Sequence, residues 1–497
     1  MKHSFIIFFL ISINFFAQIF VSPDGNDTNS GTIDSPLASI VEAMNLIQPQ
    51  DTIYLLAGVY KVSEKISITK NGYADSLYCL FGYNRERALL DFSSMEVNSS
   101  NRGISLSGTY WHIYGIDVKG AGDNGMHVSG SFNRIEFCTF YENNDTGLQI
   151  GNGASDNQII NCDSYFNADP GQGNADGFAP KLDVGSNNYF YGCRAWQNSD
   201  DGWDGYMRGN DDVSTILENC WSFKNGYLKS GNASSGNGNG FKLGGSDDKT
   251  LMHNFTLKNC VAFDNRIKGF DQNNNKGSMI LYNCTAYRNG TNYSIVSTLN
   301  DGKIANVTNS ISLGNYGTLD NFVEQQTNSW FTPFTVTEED FISIDTLGVR
   351  GPRKSDGSLP DINFLHLANG SDLIDAGIDV GISFIGTTPD LGAFEFDPNI
   401  TGVLTNEKIK NDFTLEQNYP NPFNPNTSIN FSVKNKSFVK LEVFDVVGRK
   451  IKTLVNDWKN SGNYKINFEA KELSSGIYFY ILNVNGQIQT KKMTLVK

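Results

Sequence analysis

Apolar residues along most of this chain come in short runs rich in Val, Ile, Thr, Tyr and Phe, and these runs are separated by Gly, Asn and Asp. The segments DTIYLLAG (51–58) and KISITK (65–70) are early examples. The runs follow no helical period, and such runs bounded by turn residues are typical of short β-strands. The pattern therefore predicts an all-β chain of many short strands.

One segment near the N-terminus follows a helical pattern instead. DSPLASIVEAMNLI (34–47) is amphipathic and predicts an α-helix with Ser35 as its N-cap and Pro36 in the first helical position. We expect this helix to cover the open end of the strand array, where apolar side chains and unpaired strand groups would otherwise be exposed.

A repeat becomes visible when the chain is aligned on its cysteines. Six hexapeptides share the pattern C-x-x-aromatic-x-N, and a seventh copy, SISLGN (310–315), has serine and leucine in place of the cysteine and the aromatic residue. The six cysteines are 24, 31, 27, 40 and 24 residues apart. Self-similarity at such a period indicates a solenoid, in which each repeat packs on its neighbours. The six hexapeptides are CTFYEN, CDSYFN, CRAWQN, CWSFKN, CVAFDN and CTAYRN.

Repeats made of short strands and turns predict a right-handed parallel β-helix. Coils stacked about 4.8 Å apart place equivalent residues in columns. We expect a structural role for two interior columns, because stacked amides can bond to one another and to buried backbone groups, while buried thiols act as small apolar side chains. Stacked thiols are also close enough for a disulfide. The cysteine column is Cys138, Cys162, Cys193, Cys220, Cys260 and Cys284, and the asparagine column is Asn143, Asn167, Asn198, Asn225, Asn265 and Asn289.

Charge and the first residues limit the possible partners. The formal net charge is -14, which disfavours binding to nucleic acid. An acidic polysaccharide would also be repelled, so a site for one needs a local positive charge. Residues 1–17 have the basic start, apolar run and small final residue of a signal peptide cleaved after Ala17, and the run is shorter than the roughly 20 residues of a membrane span. We expect a secreted or cell-surface monomer without a membrane span.

A second alignment places ionisable residues on one surface. A glycine opens the strand after each asparagine turn, in NGMHV, TGLQI, DGFAP, DGWDG, NGFKL and KGFDQ. The residues just before this glycine form one column, and those two positions after it form another. Because both columns are polar in the central coils, we expect them to line one patch of the outer surface. The first column is Asn124, Thr146, Asp176, Asp201, Asn239 and Lys268, and the second is His127, Gln149, Ala179, Asp204, Lys242 and Asp271.

Four aspartates should meet in this patch. Asp176 and Asp201 are 25 residues apart and fall on adjacent coils, Asp200 precedes Asp201, and Asp204 follows on the same strand. Carboxylates this close repel one another by about 1 kcal/mol per pair or more, so we expect a cation among them. Calcium takes six to eight oxygen ligands and suits the cluster, whereas zinc prefers His and Cys, which we do not expect here.

Lys242 falls one coil after Asp204 if the intervening segment GYLKSGNASSGNGN (226–239) forms a loop, as its Gly, Ser and Asn content favours. The side chain should be exposed, and an exposed lysine is most often only a solvated charge. Beside a bound divalent cation, however, the ammonium form is disfavoured and the neutral amine can act as a base. Position alone leaves both interpretations open; if Lys242 is only a solvated charge, the base is expected at Lys181 or Lys268 on the flanking coils.

Three segments, GNADGFAPKLD, GCRAWQNSDDGWDGY and GNGFKLGG, resemble the core of polysaccharide lyase family 9, the pectate and exopolygalacturonate lyases built on a β-helix. The resemblance extends over about residues 20–396. It implies a homogalacturonan-like acidic polysaccharide as the substrate, β-elimination as the reaction and Ca²⁺ as the cofactor. The implied calcium ligands are Asp176, Asp200, Asp201 and Asp204, and the implied Brønsted base is Lys242.

The composition changes near residue 397. The β-helix domain is therefore predicted over 18–397, a linker over 398–412 and a second domain over 413–497. In the last of these, NYPNPFNPNTSINFSV, KLEVFDVVGRKIKTLV and KKMTLVK resemble the type A C-terminal sorting domain of the type IX secretion system. The resemblance implies an Ig-like β-sandwich that binds the type IX machinery for export; a carbohydrate-binding or spacer sandwich is the alternative.

Two other functions fit part of the sequence. NSDDGWD faintly resembles the NTDG motif of β-helical polygalacturonases, and RIK occurs at 266–268, but the GHG motif of those hydrolases is absent. A non-catalytic surface adhesin would use the aspartates only as a structural calcium clamp. An unsaturated product that absorbs ultraviolet light would distinguish elimination from both.

Overall fold

The computed structural model describes residues 17–397, 413–445, 449–484 and 487–497. The predicted linker and, apart from Ala17, the predicted signal peptide lie outside these residues. The chain divides into two compact units after Pro398. None of the described helices is both long enough and apolar enough to cross a membrane.

The first unit is the predicted right-handed parallel β-helix, with three parallel sheets that we name A, B and C. Neighbouring strands within each sheet come from successive coils. Sheet A contains Gln18–Val21, Thr52–Leu55, Tyr78–Gly82, Trp111–Tyr114, Arg134–Glu136, Gln158–Ile160, Asn188–Tyr191, Val213–Glu218, His253–Lys258, Met279–Tyr282, Ala305–Thr308 and Val323–Gln326. Sheet B contains Ile66–Ile68, Ile104–Leu106, Met126–Val128, Leu148–Ile150, Phe178–Pro180, Trp203–Asp204, Phe241–Lys242, Lys268–Asp271, Thr291–Ile295 and Gly317–Leu319. Sheet C contains Gly58–Lys61, Ala88–Asp91, Ile116–Lys119, Thr139–Tyr141, Asp163–Tyr165, Arg194–Trp196, Trp221–Phe223, Val261–Phe263, Thr285–Tyr287 and Ile311–Leu313.

Both predicted interior columns are present. The six cysteines are buried and free, so they pack as apolar side chains. Each asparagine of the second column donates its amide Nδ2 to Oδ1 of the next at 2.9–3.0 Å. The ladder ends at Asn292, which accepts from Asn289, whereas Asn315 of the seventh repeat is exposed. The repeat therefore specifies the coil through hydrogen bonds that a buried amide must make.

The N-terminal helix is shorter than predicted. It covers Ile40–Leu46, and its N-cap is Ser39, whose hydroxyl accepts from the Glu42 N–H. The prediction of Ser35 and Pro36 at its start was wrong, because Leu37 instead exchanges backbone hydrogen bonds with Phe20 and Ser22 beside the first strand. Sheet pairing thus competes successfully with a good local helix signal. The helix buries Ile40, Ala43 and Met44 in the core at this end of the coils.

Residues 331–397, where the repeat pattern stops, pack on the outer face of sheet C. Apart from the 3₁₀ helix Glu338–Asp340, this segment has little regular structure among its described residues; the other 3₁₀ helix of the unit is Tyr83–Arg85. The aromatic residues of the hexapeptide repeat stack beneath it, with Trp196 and Phe223 5.5 Å apart and Phe223 and Phe263 4.6 Å apart between ring centroids. The regular spacing of these rings along the chain thus builds a second apolar cluster outside the coil.

A buried ion-pair network fixes this segment to sheet C. Asp163 pairs with Arg194 at 2.7 Å and with Arg353 at 2.6 Å, and Arg194 also donates to the carbonyls of Val349 and Gly351. Burial alone would raise the pKa of Asp163, but the charges of Arg353 and Arg194 outweigh it and lower that pKa from 3.8 to about 2. The ionised carboxylate is therefore part of the fold.

Asp163→Asn should lower the free energy of unfolding by about 2 to 4 kcal/mol, since it removes one charge from two buried partners. Because the native pKa is lowered, this contribution is present above pH 4 and disappears as the pH falls through about 2. Urea denaturation at several pH values checks both statements. Asp264→Asn, which breaks the surface pair with Arg288, is the matched control and should cost no more than about 1 kcal/mol. Equal losses in the two variants would contradict the network's role.

The second unit consists of two antiparallel sheets around its own apolar core, which agrees with the predicted β-sandwich. Alternating burial along Asn426–Val433 and Gly476–Val484 places one face of each strand inside. The first sheet contains Phe413–Leu415, Asn426–Val433 and Gly462–Glu469, and the second contains Lys450–Lys459, Ser437–Asp445, Gly476–Val484 and Gln487–Leu495.

Candidate active site

The second predicted column lies on the outer face of sheet B. Asp204 is paired in register with Lys242, and Lys242 with Asp271. The residue before each of these is a large ring that points into the core, such as Trp203 and Phe241, which are fully buried. Alternation along the strand then directs the next side chain outward. The pairing confirms that segment 226–239 is a loop and that Lys242 lies one coil after Asp204.

Three of the four predicted aspartates form one group. Carboxylate oxygens of Asp176, Asp200 and Asp201 lie within 4.8 Å of one another, and all three residues are buried. Asp204 is not part of this group in the structure. Its two oxygens instead face lysines, with Oδ1 3.2 Å from Lys242 Nζ and Oδ2 3.4 Å from Lys181 Nζ.

Backbone N–H groups hold the carboxylates in place. Asp176 Oδ1 accepts from the N–H of Asp201 at 3.1 Å, and Asp201 Oδ1 accepts from that of Asn239 at 2.8 Å. The N–H of Asn237 donates to Asp200. The end of the loop 226–239 therefore returns over the cluster, while residues 229–233 are exposed, and the Gly and Asn residues at that end permit the close approach.

Burial makes it unfavourable to ionise the carboxyl groups of this cluster. It raises the pKa of Asp200 to about 9, that of Asp176 to about 7 and that of Asp201 to about 6, and neighbouring carboxylates add to the effect in each case. Buried carboxylates with pKa values raised in this way gain strongly from a nearby positive charge.

Lys242 is buried, with 8% of its side chain exposed, so the expectation of an exposed lysine was wrong. Its Nζ lies 3.2 Å from Asp201 Oδ2 as well as from Asp204, and 5.4 Å from the centre of the Tyr206 ring. Burial by itself would lower the pKa of Lys242, but the carboxylates, Asp204 first, outweigh it and hold that pKa well above its usual value. The acidic cluster draws the side chain inward, which spacing along the chain does not reveal.

A second lysine of the site, Lys181, belongs to neither predicted column and was expected only as an alternative base. Lys181 follows the strand Phe178–Pro180, and its Nζ lies 2.7 Å from Asp176 Oδ2. Burial acts to lower its pKa, but Asp176 and Asp204 outweigh that effect and raise it. Lys181 lies two positions beyond Ala179, outside both columns, so the alignment gave no signal for it.

The donor set suits a hard cation. All ligand atoms of the group are carboxylate oxygens, and neither His nor Cys belongs to it among the described residues. Asp201 Oδ2 is buried and receives no hydrogen bond of regular geometry, despite its 3.2 Å distance from Lys242 Nζ. A buried oxygen without a hydrogen bond is unfavourable unless another partner binds it. These residues therefore fit a calcium ion better than zinc.

Known proteins resemble both units of the chain. The family model "Pel9A-like, right handed beta helix region" matches residues 19–316. Pectate lyase L of Dickeya chrysanthemi is 39% identical over 389 residues, which cover 76% of this chain and 90% of the relative. Pectate lyase L of Paenibacillus polymyxa is also 39% identical, with 73% and 84% covered. The crystal structure of pectate lyase Pel9A is 38% identical, with a TM-score of 0.71 over 76% of this chain and 96% of that one.

The C-terminal unit has its own match, since the family model "Secretion system C-terminal sorting domain" covers residues 417–497. This agrees with the resemblance drawn from NYPNPFNPNTSINFSV and the terminal KKMTLVK. By the extent and identity of these matches, the chain belongs to the Pel9A-like right-handed β-helix family of polysaccharide lyases and ends in a secretion-system sorting domain.

Proposed function

We propose that this protein is a secreted pectate lyase, which cleaves a homogalacturonan-like polyuronate by calcium-dependent β-elimination with Lys242 as the base. The observation that carries the proposal is the position of Lys242 Nζ, 3.2 Å from both Asp201 and Asp204 and beside a buried group of three carboxylates on the outer face of sheet B. The relatives named pectate lyase support the choice of substrate.

Asp176, Asp200, Asp201 and Asp204 would hold the calcium ion. When bound, calcium would neutralise the carboxylate of the substrate and stabilise the enolate-like charge that develops next to it. Lys242 takes the proton from C5 of the galacturonate. The electron pair of that C–H bond forms the C4–C5 double bond, the C4–O bond breaks, and the departing oxygen takes up a proton. No water is consumed, so the site needs no residue that activates water.

The carboxylate neighbours of Lys242 support its proposed role as the base. Asp201 and Asp204 fix the amine on the open face of the sheet and attract the ammonium form. Once their charge is offset by a bound divalent cation, that attraction weakens and the neutral amine becomes accessible. The overall charge of -14 opposes an acidic substrate, so the lysines and a bound cation must offset the charge of the site's own carboxylates locally.

An assay on polygalacturonate tests the reaction class. Elimination gives a conjugated, unsaturated product that absorbs ultraviolet light, and we expect its absorbance to rise with every bond cleaved. New chain ends without that absorbance would indicate a hydrolase. Binding without cleavage would indicate an adhesin, in which the aspartates only clamp calcium.

The sorting domain should not be required for catalysis. Its strands form a separate unit, and its role is proposed to be recognition by the type IX export machinery after the signal peptide is removed. We expect a chain that ends at Asp397 to keep the turnover number of the full-length protein within about twofold, since no site residue is removed. Steady-state kinetics of both purified forms check this; a truncated form that is folded by circular dichroism but inactive would contradict it.

A further inference from the structure

We propose that Lys181 binds a carboxylate of the substrate, on the uronate unit next to the one that loses its proton. This inference rests on the proposed function and extends it from the reacting unit to a neighbouring subsite. It gives the site a positive group that is distinct from the base and that selects free uronate over its neutral methyl ester.

The geometry places the two lysines on opposite sides of one carboxylate. Lys242 approaches Asp204 Oδ1 and Lys181 approaches Asp204 Oδ2, at 3.2 and 3.4 Å. Lys242 is on the strand paired with that of Asp204, and Lys181 directly follows the strand on its other side. Because both Nζ atoms approach oxygens of the same carboxylate, the two ammonium groups are close enough to face neighbouring units of one polyuronate chain. An extended polyuronate along this face therefore reaches both lysines.

One donor of Lys181 remains for a ligand. An ammonium group has three N–H bonds, and those of Lys181 have two partners, Asp176 at 2.7 Å and Asp204 at 3.4 Å. No third acceptor is within hydrogen-bonding distance among the residues that the structure describes. The side chain is 8% exposed, so a substrate carboxylate bound there would be shielded from water. Shielding strengthens such a charge-assisted hydrogen bond.

The charges of the site also support separate roles for the two lysines, with Lys242 as the base and Lys181 as the group that binds a substrate carboxylate. Four carboxylates and two ammonium groups leave a formal charge of -2, which a divalent cation brings to zero. Besides Lys242, Lys181 is the one side-chain cation in contact with these aspartates among the described residues, so it is the one other side-chain cation of this cluster with which a second substrate carboxylate can pair.

The test measures KM on polygalacturonate samples of increasing methyl esterification for wild type, Lys181→Met and Lys181→Arg. For wild type, KM should increase with esterification because esters remove both the carboxylate that Lys181 binds and the one that calcium would neutralise. Lys181→Met should raise KM on the unesterified polymer about tenfold or more and weaken this dependence, with a smaller change in kcat. Lys181→Arg keeps the charge and should restore most of the dependence. Lys258→Met is the matched control, because it also removes one positive charge. Lys258 lies on sheet A of the same coil as Lys242, and this variant should behave as wild type.

Calorimetric titration with calcium separates this role from a structural one. Lys181→Met should bind calcium as tightly as wild type or more tightly, because it removes a cation that competes for Asp176. An equal loss of activity on all polymers together with weaker calcium binding would overturn the inference, and Lys181 would then only orient Asp176. Wild-type behaviour of Lys181→Met on every polymer would also overturn the inference about Lys181. In that case, an inactive Lys242→Arg variant would show that the proposed function still holds. If wild type forms no unsaturated product, both proposals fail.

Discussion

Lys242→Ala is expected to lower kcat on polygalacturonate by about 10²- to 10⁴-fold, the usual contribution of a positioned base. The fold and substrate binding should persist, because the lysine is one polar side chain on the outer face of sheet B. Since Lys242 is buried between Asp201 and Asp204, its loss leaves two carboxylates less well compensated, so stability should be compared with calcium present. Ultraviolet absorbance measures the product, and calorimetry measures the binding of oligogalacturonate.

Lys242→Arg shows whether turnover requires the positive charge of Lys242 or its ability to accept a proton. Guanidinium keeps its proton at any working pH, so arginine preserves the positive charge but cannot accept a proton. We expect this variant to be as inactive as Lys242→Ala. Lys258→Ala, which removes a lysine from sheet A, should retain full activity. If arginine restores turnover, Lys242 acts through its charge alone and the proposed base must be abandoned.

Removal of calcium is expected to abolish turnover, and calcium added back should restore it. The reason is that burial opposes ionisation of the carboxylates and that the substrate is negative, and a divalent cation offsets both effects. Magnesium should restore little activity, because its smaller octahedral shell is less tolerant of a site built from carboxylates in fixed positions. Full activity in excess chelator, after exhaustive dialysis, would contradict the calcium mechanism.

Asp201→Asn tests the ion's position within the cluster. Asp201 Oδ2 is buried without a hydrogen bond, and its other oxygen is fixed by the N–H of Asn239. The variant keeps the shape but removes the charge, so calcium affinity should fall about tenfold or more. Asp271→Asn changes a buried carboxylate of the same column that is outside the cluster and should keep the affinity of wild type. Equal affinities of the two variants would place the ion elsewhere.

A rival interpretation of the aspartates as a structural clamp predicts a different response. In that case, loss of calcium would lower the melting temperature of the β-helix and no variant of Lys242 would alter any activity. The proposed lyase instead couples calcium and Lys242 in one measurable reaction. The matches to Pel9A-like relatives over most of the β-helix favour the enzyme.

The sequence by itself determined the coil and the alignment of its columns. In a parallel sheet, in-register pairing converts equal positions in successive repeats into neighbours, so repeat spacing alone predicted the asparagine ladder. The same rule brought Asp176, Asp200 and Asp201 together and set Lys242 beside Asp204. These relations depend on local turns and strands, which the residue pattern specifies directly.

The tertiary structure decided what depends on contacts outside the repeat. Pairing of Leu37 with the first strand moved the helix start to Ser39, and packing of residues 331–397 on sheet C covered the aromatic column. The loop 226–239 returned over the aspartates through backbone N–H groups, which any residue other than proline can provide and which therefore leave no sequence signal. Burial of Lys242 and the approach of Lys181 follow from the combined field of several carboxylates. That field exists only when the coils are stacked, so no single repeat could reveal it.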